Sequence, residues 1–71
     1  MDTVLMASTL RNLRRSMGKK QSEVARECEI SPAAYASYET GSRIPRDDVK
    51  EKLSRYFGKT VGYIFFGECA H

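Results

Sequence analysis

The chain has little of what metal sites and catalytic centres are built from. Its only histidine is His71, and its two cysteines, Cys28 and Cys69, stand far apart in the chain. With neither a C-x-x-C pair nor a second histidine, the usual four-ligand zinc set is missing, so no metal and no cofactor are expected. A structural disulfide is not expected either, and Cys28 reads as a small apolar core residue. No glycine-rich phosphate loop and no clustered nucleophile and base occur, which leaves enzymatic chemistry nowhere to reside. The longest apolar runs, Val4 to Ala7 and Tyr63 to Phe66, are too short to cross a bilayer or to form a signal-peptide core. A cytoplasmic protein without membrane association is therefore expected. Period-two alternation, internal repeats and low-complexity tracts are absent as well, which leaves an all-α class.

What is present is short and charged. A chain of 71 residues is expected to form one domain over residues 1–71, because so small a domain buries only about 60% of its unfolded surface. Its core is expected over about residues 7–66, with a flexible tail over 67–71. With no room for a separate sensor, regulation is expected through dimerisation, a partner, protein level or modification. The net charge is +3, but placement says more than size. Residues 1–20 carry Arg11, Arg14, Arg15, Lys19 and Lys20 against Asp2 alone. Residues 21–40 reverse this, with Arg26 against Glu23, Glu27, Glu29 and Glu39, and Arg43, Arg46, Lys50, Lys52, Arg55 and Lys59 follow. Basic groups thus flank a mildly acidic middle, a weak sign of a polyanionic partner.

Helical periodicity runs through the chain. Leu10, Leu13 and Met17 recur at helical spacing, Ser8 or Thr9 can cap their start, and Gly18 is a stop. A second helix, Gln21 to Cys28, turns Val24, Ala25 and Cys28 to one face and Glu23, Arg26 and Glu27 to the other. Ser31-Pro32 is a restart signal, because the serine hydroxyl accepts an orphan amide and proline tolerates the first helical position. The third helix is expected over Pro32–Thr40, with Gly41 ending it and a loop running to Pro45. In a fourth helix, Asp47 and Asp48 complement the positive end, and Val49, Leu53, Tyr56 and Phe57 form the buried stripe up to Gly58. Thr60 can cap a last helix from Val61 to Phe66. Gly62 costs that helix about 1 kcal/mol relative to alanine.

Two short helices joined by about three residues must cross steeply, which makes residues 21–40 a helix-turn-helix. Ala25 is small where the helices approach, Ile30 plugs the turn, and Tyr35 and Tyr38 anchor the third helix from beneath. The plain alternative is an ordinary helical hairpin. The string Gln21-Ser22-Glu23-Val24-Ala25, then Ile30-Ser31, then Tyr38-Glu39-Thr40-Gly41-Ser42-Arg43-Ile44-Pro45 resembles the phage repressor and Cro family, the Xre-type regulators. The resemblance spans about residues 7–66. It implies a compact lambda-repressor-like domain of four to five helices that binds double-stranded operator DNA as a dimer. The recognition helix, about Pro32–Thr40, would lie in the major groove, where each base pair shows a distinct pattern of donors and acceptors.

The resemblance also assigns residues. Gln21, at a helix terminus of the kind that attracts phosphate, would clamp the DNA backbone, with Lys20 adding charge. Arg43 would make a further backbone contact. Arg14 and Glu39 match a pair that the family buries between the first and third helices, whereas Arg11 and Arg15 read as solvated or weakly steering charges. The recognition face would comprise Ser31, Pro32, Ala33, Ala36 and Ser37, where relatives carry long polar groups. Such a face suits thymine methyl groups and shape readout. Ala34 belongs either to this face or to the packing beneath it. Glu29 stands where the family has a left-handed glycine, at a cost of about 1 kcal/mol.

Five of the seven aromatics, Tyr56, Phe57, Tyr63, Phe65 and Phe66, crowd the last sixteen residues. Phe57, Ile64 and Phe65 are expected to close the core. Tyr63 and Phe66 are candidate homodimer contacts, and a twofold dimer implies a near-palindromic operator. The leading function is a sequence-specific transcriptional regulator, a dimeric repressor of phage or mobile-element type. An antitoxin, a restriction-modification controller, or a helix-turn-helix converted to protein interaction are the alternatives.

Overall fold

An aspartate at the second position starts the first helix. In the computed structural model, which describes residues 2–67, α1 spans Thr3–Ser16. The Asp2 carboxylate caps it, accepting from the amides of Val4 and Leu5 at 3.0 and 3.1 Å. Ser8 and Thr9 therefore lie inside the helix and do not cap it, a correction to the expected boundary. The extra turn exists because Met6 and Ala7 prolong the stripe that ends in Leu10, and all three are buried. At the other end Met17 leaves the helix and is 42% exposed, so the stripe stops at the half-buried Leu13. The tail expected over 67–71 lies, Gly67 apart, outside the described residues.

The remaining helices are α2 (Gln21–Glu27), α3 (Pro32–Thr40), α4 (Asp47–Phe57) and α5 (Val61–Phe65). Ser31 caps α3 through its hydroxyl, which accepts from the Ala34 amide at 3.1 Å, and Thr60 caps α5 by accepting from Tyr63 at 3.0 Å. Phe66 falls outside α5 at φ −122° and ψ 8°, so the last helix is one residue shorter than expected. The fold is all-α.

One core joins all five helices. Met6 and Leu10 of α1 meet Val24 and Ala25 of α2, Tyr35 and Tyr38 of α3, Val49, Leu53 and Phe57 of α4, and Ile64 and Phe65 of α5. Cys28 is buried among them with no disulfide partner among the described residues, and Ile30 packs against the same cluster from the turn. Tyr56 is only half-buried: its ring meets Phe57 edge-on at 5.2 Å, and its hydroxyl donates to Glu27 at 3.2 Å.

Two chain reversals set the posture of α3. At the end of α2 the Glu29 amide donates to the Arg26 carbonyl at 3.2 Å and the Ile30 amide to the Ala25 carbonyl at 2.8 Å. That pairing satisfies the orphan carbonyls but requires a left-handed residue, and Glu29 supplies it at φ 58°. The same pairing ends α3, where Gly41 and Ser42 donate to the carbonyls of Tyr38 and Ser37 at 3.3 and 3.1 Å. Gly41 is left-handed at φ 78°, and a Cβ there would sit 3.0 Å from the backbone oxygen of Thr3. Glycine is thus required twice, by conformation and by the approach of α1.

Candidate nucleic-acid interface

The site is organised around one buried charge. Glu39, 1% exposed, accepts from Arg14 Nε at 2.7 Å through Oε2 and from Arg14 Nη2 at 3.1 Å through Oε1. The guanidinium is thereby held in a two-pronged grip, and its Nη1 donates to the Lys19 carbonyl at 3.0 Å. Gln21 completes the set, donating from Nε2 to Glu39 Oε1 at 3.0 Å. Burial pushes the Glu39 carboxyl up, but the hydrogen bonds from Arg14 and Gln21, the adjoining Tyr35 hydroxyl and the Arg14 charge outweigh it, and the net shift is downward. The Tyr35 hydroxyl lies fully buried beside this carboxylate without a hydrogen bond of normal geometry, and its pKa is raised, chiefly by burial. Arg11 is not a free steering charge: its Nη1 donates to the Glu39 backbone carbonyl at 2.6 Å and ties α1 to the last turn of α3.

Each expected DNA-facing residue can be located against this frame. Gln21 opens α2, half-buried, with one amide hydrogen committed to Glu39 and the other free of it. Lys20 is exposed just ahead, its backbone amide donating to Glu23 Oε1 at 3.0 Å. Ser31, Pro32 and Ala33 are exposed at the start of α3, while Ala36 and Ser37 are half-exposed one turn further on. Ala34 packs against the core, which resolves its ambiguity toward the inner side. The Arg43 amide donates to the Ser37 carbonyl at 3.4 Å, so the exposed Arg43 side chain springs from a loop tied to α3.

Arg46 belongs beside these residues, although sequence reasoning passed over it. It stands immediately before α4 with a side chain 87% exposed, and it shares with Arg43 and Lys52 a cleft of about 490 Å³ floored by Ile30, Ala34 and Val49. Its place between Pro45 and the two aspartates that open α4 was the available signal. Glu29 and Asp48 also border the cleft, so its field is mixed. Towards the end of the described residues, Phe66 is 56% exposed, with the Lys50 ammonium 5.3 Å from its ring centre. Tyr63 is half-buried, with the Lys59 ammonium 5.3 Å from its ring centre.

A family model described as "Helix-turn-helix" matches residues 10–64. The chain belongs to the Xre, lambda-repressor-like helix-turn-helix family. No curated protein and no solved structure gives a significant match. At family level the chain is a DNA-binding helix-turn-helix regulator with DNA as its partner, and the family is regulatory, not enzymatic. No helix among the described residues is long and apolar enough to cross a membrane. Within the helix-turn-helix, α2 is the supporting helix and α3 the one whose outer face stands free. The Arg14, Gln21 and Glu39 cluster bonds three helices at the point where they converge.

Proposed function

We propose that this helix-turn-helix protein binds operator DNA in a sequence-selective way and represses transcription, as phage and mobile-element regulators do. α3 enters the major groove, while Lys20, Gln21 and Arg43 bind phosphates on either side of it. The observation that carries this reading is the Gln21 amide, held on the buried Glu39 with its second hydrogen unspent. A donor fixed in that way meets a phosphate oxygen without first losing side-chain entropy. Arg43, on a loop bonded to α3, gives the second anchor, and such contacts set the register of the helix without reading sequence.

The reading extends to a homodimer. The exposed Phe66 and the half-buried Tyr63 are the contacts that a twofold copy would cover. Two recognition helices then stand about 34 Å apart, one DNA turn, and the operator is a near-palindrome. Sedimentation on and off DNA checks this arm, and monomers persisting on DNA would remove it.

Titration of duplex DNA at several salt concentrations tests the central claim. Affinity should fall linearly on a log–log plot, because each neutralised phosphate releases counterions. A flat plot overturns the phosphate assignment.

A further inference from the structure

The outer face of α3 itself, from Pro32 onward, is unusual in having no side-chain donor to offer. Pro32 and Ala33 are exposed and Ala36 and Ser37 half-exposed. Of these only Ser37 is polar, and its hydroxyl proton is spent on the Ala33 carbonyl at 3.0 Å. Thr40, exposed at the end of the helix, spends its proton in the same way on the Ser37 carbonyl at 3.0 Å. Ser31, the cap residue ahead of the helix, accepts from the Ala34 amide through Oγ and keeps its proton, the one hydroxyl donor at this end. What α3 presents is therefore methyl and ring carbon at Pro32, Ala33 and Ala36, with the acceptor lone pairs of Ser37 beside them.

Base edges respond unequally to such a face. Guanine shows two acceptors in the major groove, O6 and N7, and both lose water against methyl groups without gaining a donor. An A·T pair shows the thymine methyl, which gains from apolar contact, and the adenine amino group, which suits an acceptor. We infer that α3 selects A·T pairs: Ala33 and Ala36 cover thymine methyl groups, and Ser37 Oγ accepts from an adenine amino group. This inference rests on the DNA-binding reading above and names the bases which that reading leaves open. Polar contacts from Lys20, Arg43 and Arg46 flank the helix and are blind to this choice.

Uracil tests the claim, since it differs from thymine only by the missing methyl. The best duplex selected from random DNA is titrated with the intact protein, and the thymines under each α3 are then replaced one at a time by uracil. One or two replacements per half-site should weaken binding about fourfold each, the worth of one buried carbon. In the Ala33→Gly variant, thymine and uracil should become equal at the base facing residue 33. Replacing an A·T pair there by G·C should weaken binding further, and 5-methylcytosine in that pair should recover part of the loss. A uracil scan that is flat at every position, on a duplex that still binds, overturns the inference alone. No binding to any duplex at low salt overturns the DNA-binding reading together with it, and would favour a helix-turn-helix turned to protein interaction.

Discussion

The two sides of α3 are made on opposite plans. Its inner side carries Tyr35, Tyr38 and Glu39, all buried, and the Glu39 carboxylate alone gathers bonds from two helices. Its outer side carries Pro32, Ala33, Ala36 and Ser37, whose one hydroxyl bonds back to its own helix. The inner side spends its polar groups on fixing where the helix lies, and the outer side keeps almost none for reading. A helix of this kind obtains posture from the protein and discrimination from methyl contact and groove shape. Substitutions on the inner side should therefore act through stability, and those on the outer side through choice of sequence.

The largest expected effect comes from cutting the inner side. Arg14→Ala leaves Glu39 as an unpaired buried charge and should cost about 3 to 5 kcal/mol, read by urea denaturation. For a domain this small that approaches its whole stability, and DNA binding should disappear with the fold. Acid makes the same cut reversibly. The folded pKa of Glu39 is lowered, so its contribution is full above the ordinary glutamate value of about 4.3 and is lost as pH falls through the lower folded value. In Glu39→Gln that part of the acid transition should be missing. An unchanged acid limb would show that the cluster holds little stability.

Gln21→Ala sits between the two sides. It removes a hydrogen bond to a charged oxygen, worth about 1.5 to 3 kcal/mol in binding, and should weaken cognate and random duplexes alike. Ser37→Ala should do the reverse, leaving random DNA unaffected and narrowing the gap between cognate and random. Anisotropy titrations of both variants on both duplexes check the division, and equal losses in all four would erase it.

Most of the helix plan was legible because its punctuation is local. Ser31-Pro32, Gly41 and Gly58 mark boundaries whose chemistry is complete within two or three residues; α3 starts and stops at the first two, and α4 stops at the third. The start of α1 was misread for the same reason. Ser8 and Thr9 are good cap types, but so is Asp2, and the burial of Met6 and Ala7 decides that the helix is already under way. The site was half legible. The pairing of Arg14 with Glu39 came through family likeness, since nothing in their spacing brings them together. The bond from Arg11 to the Glu39 carbonyl left no trace at all, because a backbone acceptor has no side chain to identify it. Gln21 was read as facing DNA, and its bond to Glu39 shows that it also faces inward.

The smallest expected effect bears on the turn that joins supporting and recognition helices. Glu29 holds φ 58°, a conformation that costs a non-glycine residue about 1 kcal/mol or slightly more. Its exposed carboxylate also borders the cleft that holds Arg43, Arg46 and Lys52. Glu29→Gly removes strain and charge together, whereas Glu29→Gln removes the charge and keeps the strain. Glycine should stabilise the domain by about 1 kcal/mol, or several degrees in Tm, and glutamine should leave Tm nearly unchanged. Both should tighten DNA binding a few-fold at low salt, with the gain fading as salt screens it. If only glycine tightened binding, the benefit would come from a relaxed turn re-aiming α3, and the separation between posture and field would fail at this residue.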